Sequence, residues 1–473
     1  MRIIAVLILA ALISGCGGTA PTAPSLGAAA SLAAGSPCAE ASASSTQSDD
    51  WVTFNHDQLH SGCESQSTGI SSANVSQLHK VWEFSQSNQI FANPIAVNGT
   101  VYVATLQAGT VFALNAGTGA EEWSAVIGSG PGGEIRQTPV YDDGLLFVGI
   151  HGFGPETAAG TFPPLPSSIF ALRASTGQIV WSAALQGDVR ASPAVVNGDV
   201  FVPVAGGDPP FCLQGGISAF NETNGQPLWT YFVDPTSADG GSVWSPVAYD
   251  GSQLIFGTGN TCVQTPLSAN AVVSLNPANG AVNWDVNTAP QLTDSDVGGG
   301  ALIVDGMVVI LGKNGIIYYL DERTGAVLHQ VQTGVANMAA GFATASTDGS
   351  TIIIGTGPVS SGASSQRGDE DPTHFFGSVR SDATAGGGRL IALDLTGKVK
   401  WTLSTQSVVH TSVAITGGVA FATVNNAVEA ISIATGQTLW SYPLPAGVLA
   451  SPIVVPSGVY AADLAGNVYK FAL

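Results

Sequence analysis

Short apolar runs separated by glycine-containing turns fill most of this chain, the pattern of β-strands joined by tight hairpins. One unit recurs: a small residue and Pro, an apolar run, a Gly turn, a second apolar run, Ala-Leu-Asp-like residues, Thr-Gly, and Trp. Its Trp ends are Trp82, Trp123, Trp181, Trp229, Trp284, Trp401 and Trp440, and one further unit ends in Leu328-His329 instead. The starts include Asn93-Pro94, Thr138-Pro139, Ser192-Pro193, Ser245-Pro246 and Ser451-Pro452. From Trp82 to Leu473 the repeat averages about 49 residues over eight units, the length of a propeller blade. The expected fold is all-β: an eight-bladed β-propeller with four antiparallel strands, A to D, in each blade.

Turn chemistry supports the strand boundaries. Asn98-Gly99, Asn197-Gly198, Asp250-Gly251, Asp305-Gly306 and Asp348-Gly349 are hairpin signals between strands A and B. Pro at the start of strand A is tolerated because A is an inner edge strand. Around Trp82 the chain offers a D strand, His79 to Phe84, with no A, B or C before it. The last unit, Ala450 to Leu473, has A, B and C but no D. The N-terminal D strand is therefore expected to complete the last blade and close the ring, hiding both sheet edges.

Strand direction alternates within a blade, so A–B and C–D turns share one face, and B–C loops and D–A crossings share the other. The long insertions His151 to Ser168, Gly206 to Gly216, Thr261 to Asn270 and Pro358 to Gly388 all fall on the second face, the expected working face. The D–A crossings deliver Phe91, Arg136, Arg190, Trp244, Asp294 to Asp296, Met338, His410 and Leu449 to the mouth of the central channel. Two arginines at equivalent positions of neighbouring blades invite an anion. Equally, Arg136 has Glu134 and Arg190 has Asp188 close by as ion-pair partners. His151 with Glu156, and Asp369, Glu370, Asp371 with His374, are weaker metal-site candidates.

Charge narrows the partners. The 473 residues carry a formal net charge of -20 with only 13 Lys and Arg, and nothing gathers these into a basic patch. Nucleic acid and anionic lipid surfaces are therefore excluded as partners. Residues 1–15 read as a signal peptide, with Arg2 ahead of the apolar run Ile3 to Ile13. Ile13-Ser14-Gly15-Cys16 resembles the bacterial lipobox, which implies a lipid on Cys16 and an exported protein anchored to the cell envelope. Residues 16–50 form an Ala/Ser/Pro/Gly-rich tether, 51–81 a segment that seals the ring, and 82–473 the propeller. In an oxidising compartment the four remaining cysteines allow three connectivities. Cys212 and Cys262 lie in neighbouring B–C loops, so the expected pairs are Cys212–Cys262 and Cys38–Cys63.

The repeat resembles that of pyrroloquinoline-quinone (PQQ)-type propellers over nearly the whole chain from Trp51. Three stretches resemble the quinoprotein alcohol dehydrogenases in order and spacing. Gly240-Gly241-Ser242-Val243-Trp244 is similar to the segment whose Trp floors the PQQ site, and Gly257-Thr258-Gly259-Asn260 to the one whose Asn binds metal. Gly312-Lys313-Asn314-Gly315 is similar to the stretch whose basic residue contacts the quinone oxygens, and Asp294-Ser295-Asp296 to the segment with the catalytic base, here Asp296. The resemblance implies PQQ held by Trp244, Lys313, Arg136 and Arg190, calcium held by Asp208, Asn260 and Asp296, and oxidation of alcohols or sugars. Gly298 stands where lanthanide-dependent relatives carry an extra acid, which implies calcium. Asp208 replaces the family's metal-binding Glu, there is no adjacent-cysteine pair, and no Cys-x-x-Cys-His exists for a haem. Trp244 can equally be a packing residue, Asn260 a loop turn, and Lys313 a partner of Asp296. The same repeat also builds non-catalytic scaffolds, such as the propeller lipoprotein of outer-membrane β-barrel assembly, which binds envelope proteins. Either role is expected of a monomer.

Overall fold

Eight four-stranded antiparallel sheets form the molecule, each with its strands in chain order A-B-C-D except the one that closes the ring. The computed structural model describes residues 38, 50–128, 133–152, 167–206, 213–235, 241–259, 269–288, 295–333, 342–357 and 387–473. Blade one is typical: Ile95–Val97, Thr100–Ala104, Thr110–Asn115 and Glu121–Val126. In blade eight, Ile453–Val455, Gly458–Ala462 and Asn467–Ala472 are completed by His79–Ser85, which pairs antiparallel with the last strand. Chain ends thus meet inside one sheet, as the unmatched strands required.

The A–B turns Asn98-Gly99, Asn197-Gly198 and Asp305-Gly306 have positive φ at both residues, the geometry that suits a twisted two-residue hairpin. At Asp250 and Asp348 only the following glycine has positive φ, and the loops are longer. There the carboxylate caps the turn instead, Asp250 Oδ1 accepting from Ser252 N at 2.7 Å and Asp348 Oδ1 from Ser350 N at 2.9 Å.

The recurrent Trp locks blade to blade. In six blades its ring lies over the Gly of the next blade's C–D turn and its Nε1 donates to a carbonyl of that turn, whereas Trp440, facing the split blade, donates to Leu78 O. Trp123 donates to Ala174 O at 2.9 Å, Trp181 to Glu222 O at 2.7 Å and Trp229 to Pro277 O at 2.9 Å. In every blade a β-bulge between strands C and D falls beside this residue, for example between Ala113 and Leu114, adding local twist. Blade five carries His329 because its partner turn is shorter: Asp394 N bonds Lys398 O, where blade one spans Asn115 N to Ala120 O. His329 packs against Gly397 of that turn and also stacks on Tyr319 of its own blade, with centroids 3.9 Å apart. A Cβ at Gly280 (φ +69) would sit 2.5 Å from the Trp229 ring. Gly280→Ala is therefore expected to cost about 1–3 kcal/mol, measurable as a lower denaturant midpoint at unchanged slope.

Residues Trp51 to Glu64 cross the central channel and hydrogen-bond to strand A of seven successive blades. Trp51 pairs with Ala96, Val52 O accepts from Tyr141 N, and Gln58 Nε2 donates to Val195 O. Gln58 O, Leu59 O, Ser61 O and Gly62 O then accept from Tyr249, Ile303, Thr347 and Ile415. One segment, turning at Asn55, His56 and His60, therefore satisfies backbone groups on the inner edge of seven blades. The Cys38–Cys63 disulfide is formed, with Cα atoms 5.7 Å apart.

Candidate axial binding site

On the loop-face side of this seal lies an axial cavity of 170 Å³ with Phe54 of the seal among its walls. Each blade contributes the residue just ahead of its strand A at one repeated register. Blades two and three supply Arg136 and Arg190; blades one, four, six and seven supply Phe91, Trp244, Phe342 and His410; blades five and eight supply Gly298 and Leu449. The cavity therefore has a cationic arc and an aromatic arc. Below it, short polar residues at the blade starts stitch neighbours together. Ser192 Oγ accepts from Thr138 N at 3.0 Å, Ser451 Oγ from Ser412 N at 2.9 Å, and Asn93 Oδ1 from Ser451 N at 2.6 Å. This belt explains why the residue at the recurring blade starts is Asn, Thr or Ser.

One channel-mouth position differs from expectation. Asp296 of the Asp294 to Asp296 segment does not line the cavity; Gly298 holds blade five's position, because the crossing continues past the acids before strand A begins. Phe342 holds the corresponding position in blade six. Counting back from strand A by the spacing that gives Arg136 and His410 would have found both. Met338, Asp294, Asp208, Asn260, Cys212, Cys262, Glu156, Asp369, Glu370, Asp371, His374 and Cys16 lie outside the described residues.

Both arginines are paired. Arg136 Nη2 lies 2.9 Å from Glu134 Oε2, and Arg190 Nε 2.6 Å from Asp188 Oδ2. Asp188 is also 2.6 Å from Nδ1 of buried His151 and accepts from Gly152 N at 3.0 Å. Burial pushes the Asp188 carboxyl up, but His151 and Arg190 outweigh burial and hold it well below the usual carboxylate range. Burial lowers the Arg136 pKa; Glu134 opposes this, and the nearby Arg190 charge adds to it. His151 thus serves the arginine arc through Asp188.

Behind the aromatic arc Lys313 and Asp296 meet beside Trp244. Lys313 Nζ is 2.7 Å from Asp296 Oδ2 and 5.1 Å from the Trp244 ring centre. Lys313 and Asp296 are both 6% exposed. Main-chain bonds knit the stretches that carry them: Gly259 N to Ser242 O at 2.7 Å, Val297 N to Thr258 O at 3.0 Å and Lys313 N to Asp296 O at 2.9 Å. Gly259 is needed because a Cβ there would lie 3.0 Å from both Trp244 Nε1 and Asp296 Oδ1. Gly298 is needed because a Cβ would run into the six-membered ring of Trp244, which also excludes a carboxylate side chain in this arrangement. Among the described residues no group of three His, Cys, Asp or Glu is placed to hold a metal.

The chain was compared with known proteins. The family described as "Outer membrane protein assembly factor BamB" matches residues 137–298 and 314–472. The family described as "Glucose/ethanol/alcohol dehydrogenase, beta-propeller domain" matches residues 51–137. Quinoprotein alcohol dehydrogenase PedH of Pseudomonas putida is 27% identical, over 53% of this chain and 50% of its own. BamB of Yersinia pestis is 24% identical, over 51% of this chain and 57% of its own. The chain spans about half the length of these curated relatives. A europium-containing methanol dehydrogenase superposes with a TM-score of 0.68 at 18% identity, covering 90% of this chain and 99% of that one, a likeness of fold.

Proposed function

This chain belongs to the PQQ-type β-propeller family, and from that premise we propose that its axial site binds a planar, polyanionic quinone of the PQQ class. On this reading it is an exported protein, anchored through Cys16, that dehydrogenates alcohols or sugars and hands electrons to a separate acceptor. One observation carries the reading: Trp244, Asp296 and Lys313, from separate stretches of two blades, meet within a few ångströms beside a cavity that also holds two arginines.

The residues fit such a ligand in kind. Trp244 offers a flat aromatic surface, and the planar forks of Arg136 and Arg190 suit carboxylates. A bound quinone would supply the hydride acceptor. Lys313 holds and orients Oδ2 of Asp296 beside Trp244, behind the cavity rather than in its wall. A divalent cation would fall to Asp208, Asn260 and Asp296; Asp296 is already engaged by Lys313, so no step is routed through a metal.

Titrating PQQ into chelator-treated protein, with and without calcium, tests the reading through quenching of Trp fluorescence. Saturable binding is expected, about tenfold weaker in Arg136→Gln or Arg190→Gln. Complete absence of binding at every calcium level would remove the quinone reading.

A scaffold for envelope proteins is the second reading, favoured by apolar side chains exposed on consecutive outer strands: Val180, Leu228, Val282, Leu328 and Val399 in blades two to six. One such side chain repeated on each outer strand offers apolar contacts to a protein partner. In that case the PQQ titration is blank, and polar substitutions at Leu228 and Leu328 abolish co-purification of an envelope protein.

A further inference from the structure

We propose that a slot on the loop face, between the starts of blades seven and eight, seats a short, uncharged alcohol beside the axial cavity. The inference rests on the dehydrogenase reading and gives its substrate a place and a size. The slot is a separate cavity of 40 Å³, walled by the crossing into blade seven, that blade's B–C turn and the crossing into blade eight. His410 and Leu449 line both this slot and the axial cavity, so the two spaces meet at these side chains. Loop lengths favour entry on this side. Only Asn425 and Asn426 join strands B and C of blade seven, Asp463 to Gly466 those of blade eight, and Thr105 to Gly109 those of blade one. The long insertions belong to blades two, three, four and six.

The two cavities differ in charge. Arg136 and Arg190 line the axial one, whereas none of the described residues around the slot is Asp, Glu, Lys or Arg. Hydroxyls, amides and the His410 imidazole are its polar groups, and valines with Leu449 are the apolar remainder. Thr423 Oγ1 is spent on Thr411 Oγ1 at 3.0 Å and Ala450 O at 3.1 Å. Asn425 Oδ1 accepts from Gln406 N at 2.7 Å, which uses the acceptor of that amide and leaves its NH2 to meet a ligand oxygen. Burial pushes the His410 imidazole down to about 4, so the ring is neutral at neutral pH. A neutral imidazole carries one donor and one acceptor, the complement of a hydroxyl group. An anion gains no charge partner in the slot. Its volume holds about three water-sized spheres, which suits a ligand of about four non-hydrogen atoms and is too small for a sugar ring.

Titrating 1-propanol into the full chain, followed by saturation-transfer NMR, tests this, with glucose as the large probe and PQQ titrated in parallel. Val448 lines the slot and not the axial cavity, so Val448→Phe fills one without altering the walls of the other. Val448→Leu is the milder variant, and thermal melts establish that each is folded. Expected is saturable 1-propanol binding to the wild-type chain, weakened at least about tenfold in Val448→Phe and less in Val448→Leu, with PQQ affinity within about twofold throughout and no binding of glucose. Equal 1-propanol affinity in all three proteins overturns the slot. Glucose binding that is lost in Val448→Phe overturns the size limit. No 1-propanol binding to the wild-type chain while PQQ binds overturns the inference and leaves the quinone reading standing. Binding of 1-propanol that is lost in Val448→Phe, with no PQQ binding, upholds the alcohol site and removes the quinone reading.

Discussion

Replacing Asp296 with alanine while Lys313 remains is expected to cost about 3–5 kcal/mol of folding stability. Both residues are 6% exposed and their charged atoms are 2.7 Å apart, so truncating one removes the nearest opposite charge from a group held away from water. Placing the Lys313 ammonium against the Trp244 and Phe342 rings offsets part of that cost, but ring quadrupoles supply only about 0.5–2 kcal/mol. Converting both partners, Asp296→Leu with Lys313→Met, should restore most of the loss, since removing both charges also removes their desolvation. Guanidinium unfolding of the two single variants and the double variant gives the coupling energy directly. A single-variant cost below about 1 kcal/mol would mean that water reaches the pair, as at a surface bridge.

Raising the pH through 9 is expected to loosen the seal across the channel. His56 is buried at the crossing segment, with Nδ1 3.3 Å from Asp57 Oδ2 and Nε2 3.6 Å from Glu64 Oε2. Burial opposes its charge, but the hydrogen bonds to Asp57 and Glu64 outweigh burial and raise its pKa to about 9. A folded pKa above the unfolded 6.5 means stability that is complete below pH 6.5 and lost as pH climbs through 9, amounting to about 3 kcal/mol. Glu222 and Glu322 act in a lower window. Burial lifts each carboxyl to about 7, aided by Asp142 and Asp250 respectively, so stability is lost as pH rises from the carboxylate range through 7. Comparing thermal midpoints of wild type and His56→Gln from pH 6 to 10 isolates the histidine. The difference should shrink above pH 9; a constant difference would assign His56 a packing role, on its edge-to-face contact with Trp51.

Much of the architecture was legible without coordinates, because a propeller repeats its instructions. Trp and Thr-Gly recur because the Trp rings of six blades pack on a Gly of the next blade's C–D turn, and His329 packs likewise on Gly397. Ring closure followed from counting strands at the two ends. The Cys38–Cys63 pair and the Arg136–Glu134 and Arg190–Asp188 bridges were also within reach, the latter because their partners are near neighbours in the chain. Gly298 and Phe342 were not legible because the D–A crossings vary in length, so distance from the preceding strand does not fix which residue faces the channel.

By itself the sequence determined the strand order, the number of blades, the face bearing the long loops and the set of residues worth suspecting. Only the tertiary structure decided that Lys313 meets Asp296 beside Trp244, that Phe342 meets Trp244 edge to face, and that one segment bridges seven blades. Local patterning specifies strands and turns through contacts a few residues apart. Which charges neutralise each other, and which rings share one cavity, depends on distances around the ring that no stretch of chain encodes alone.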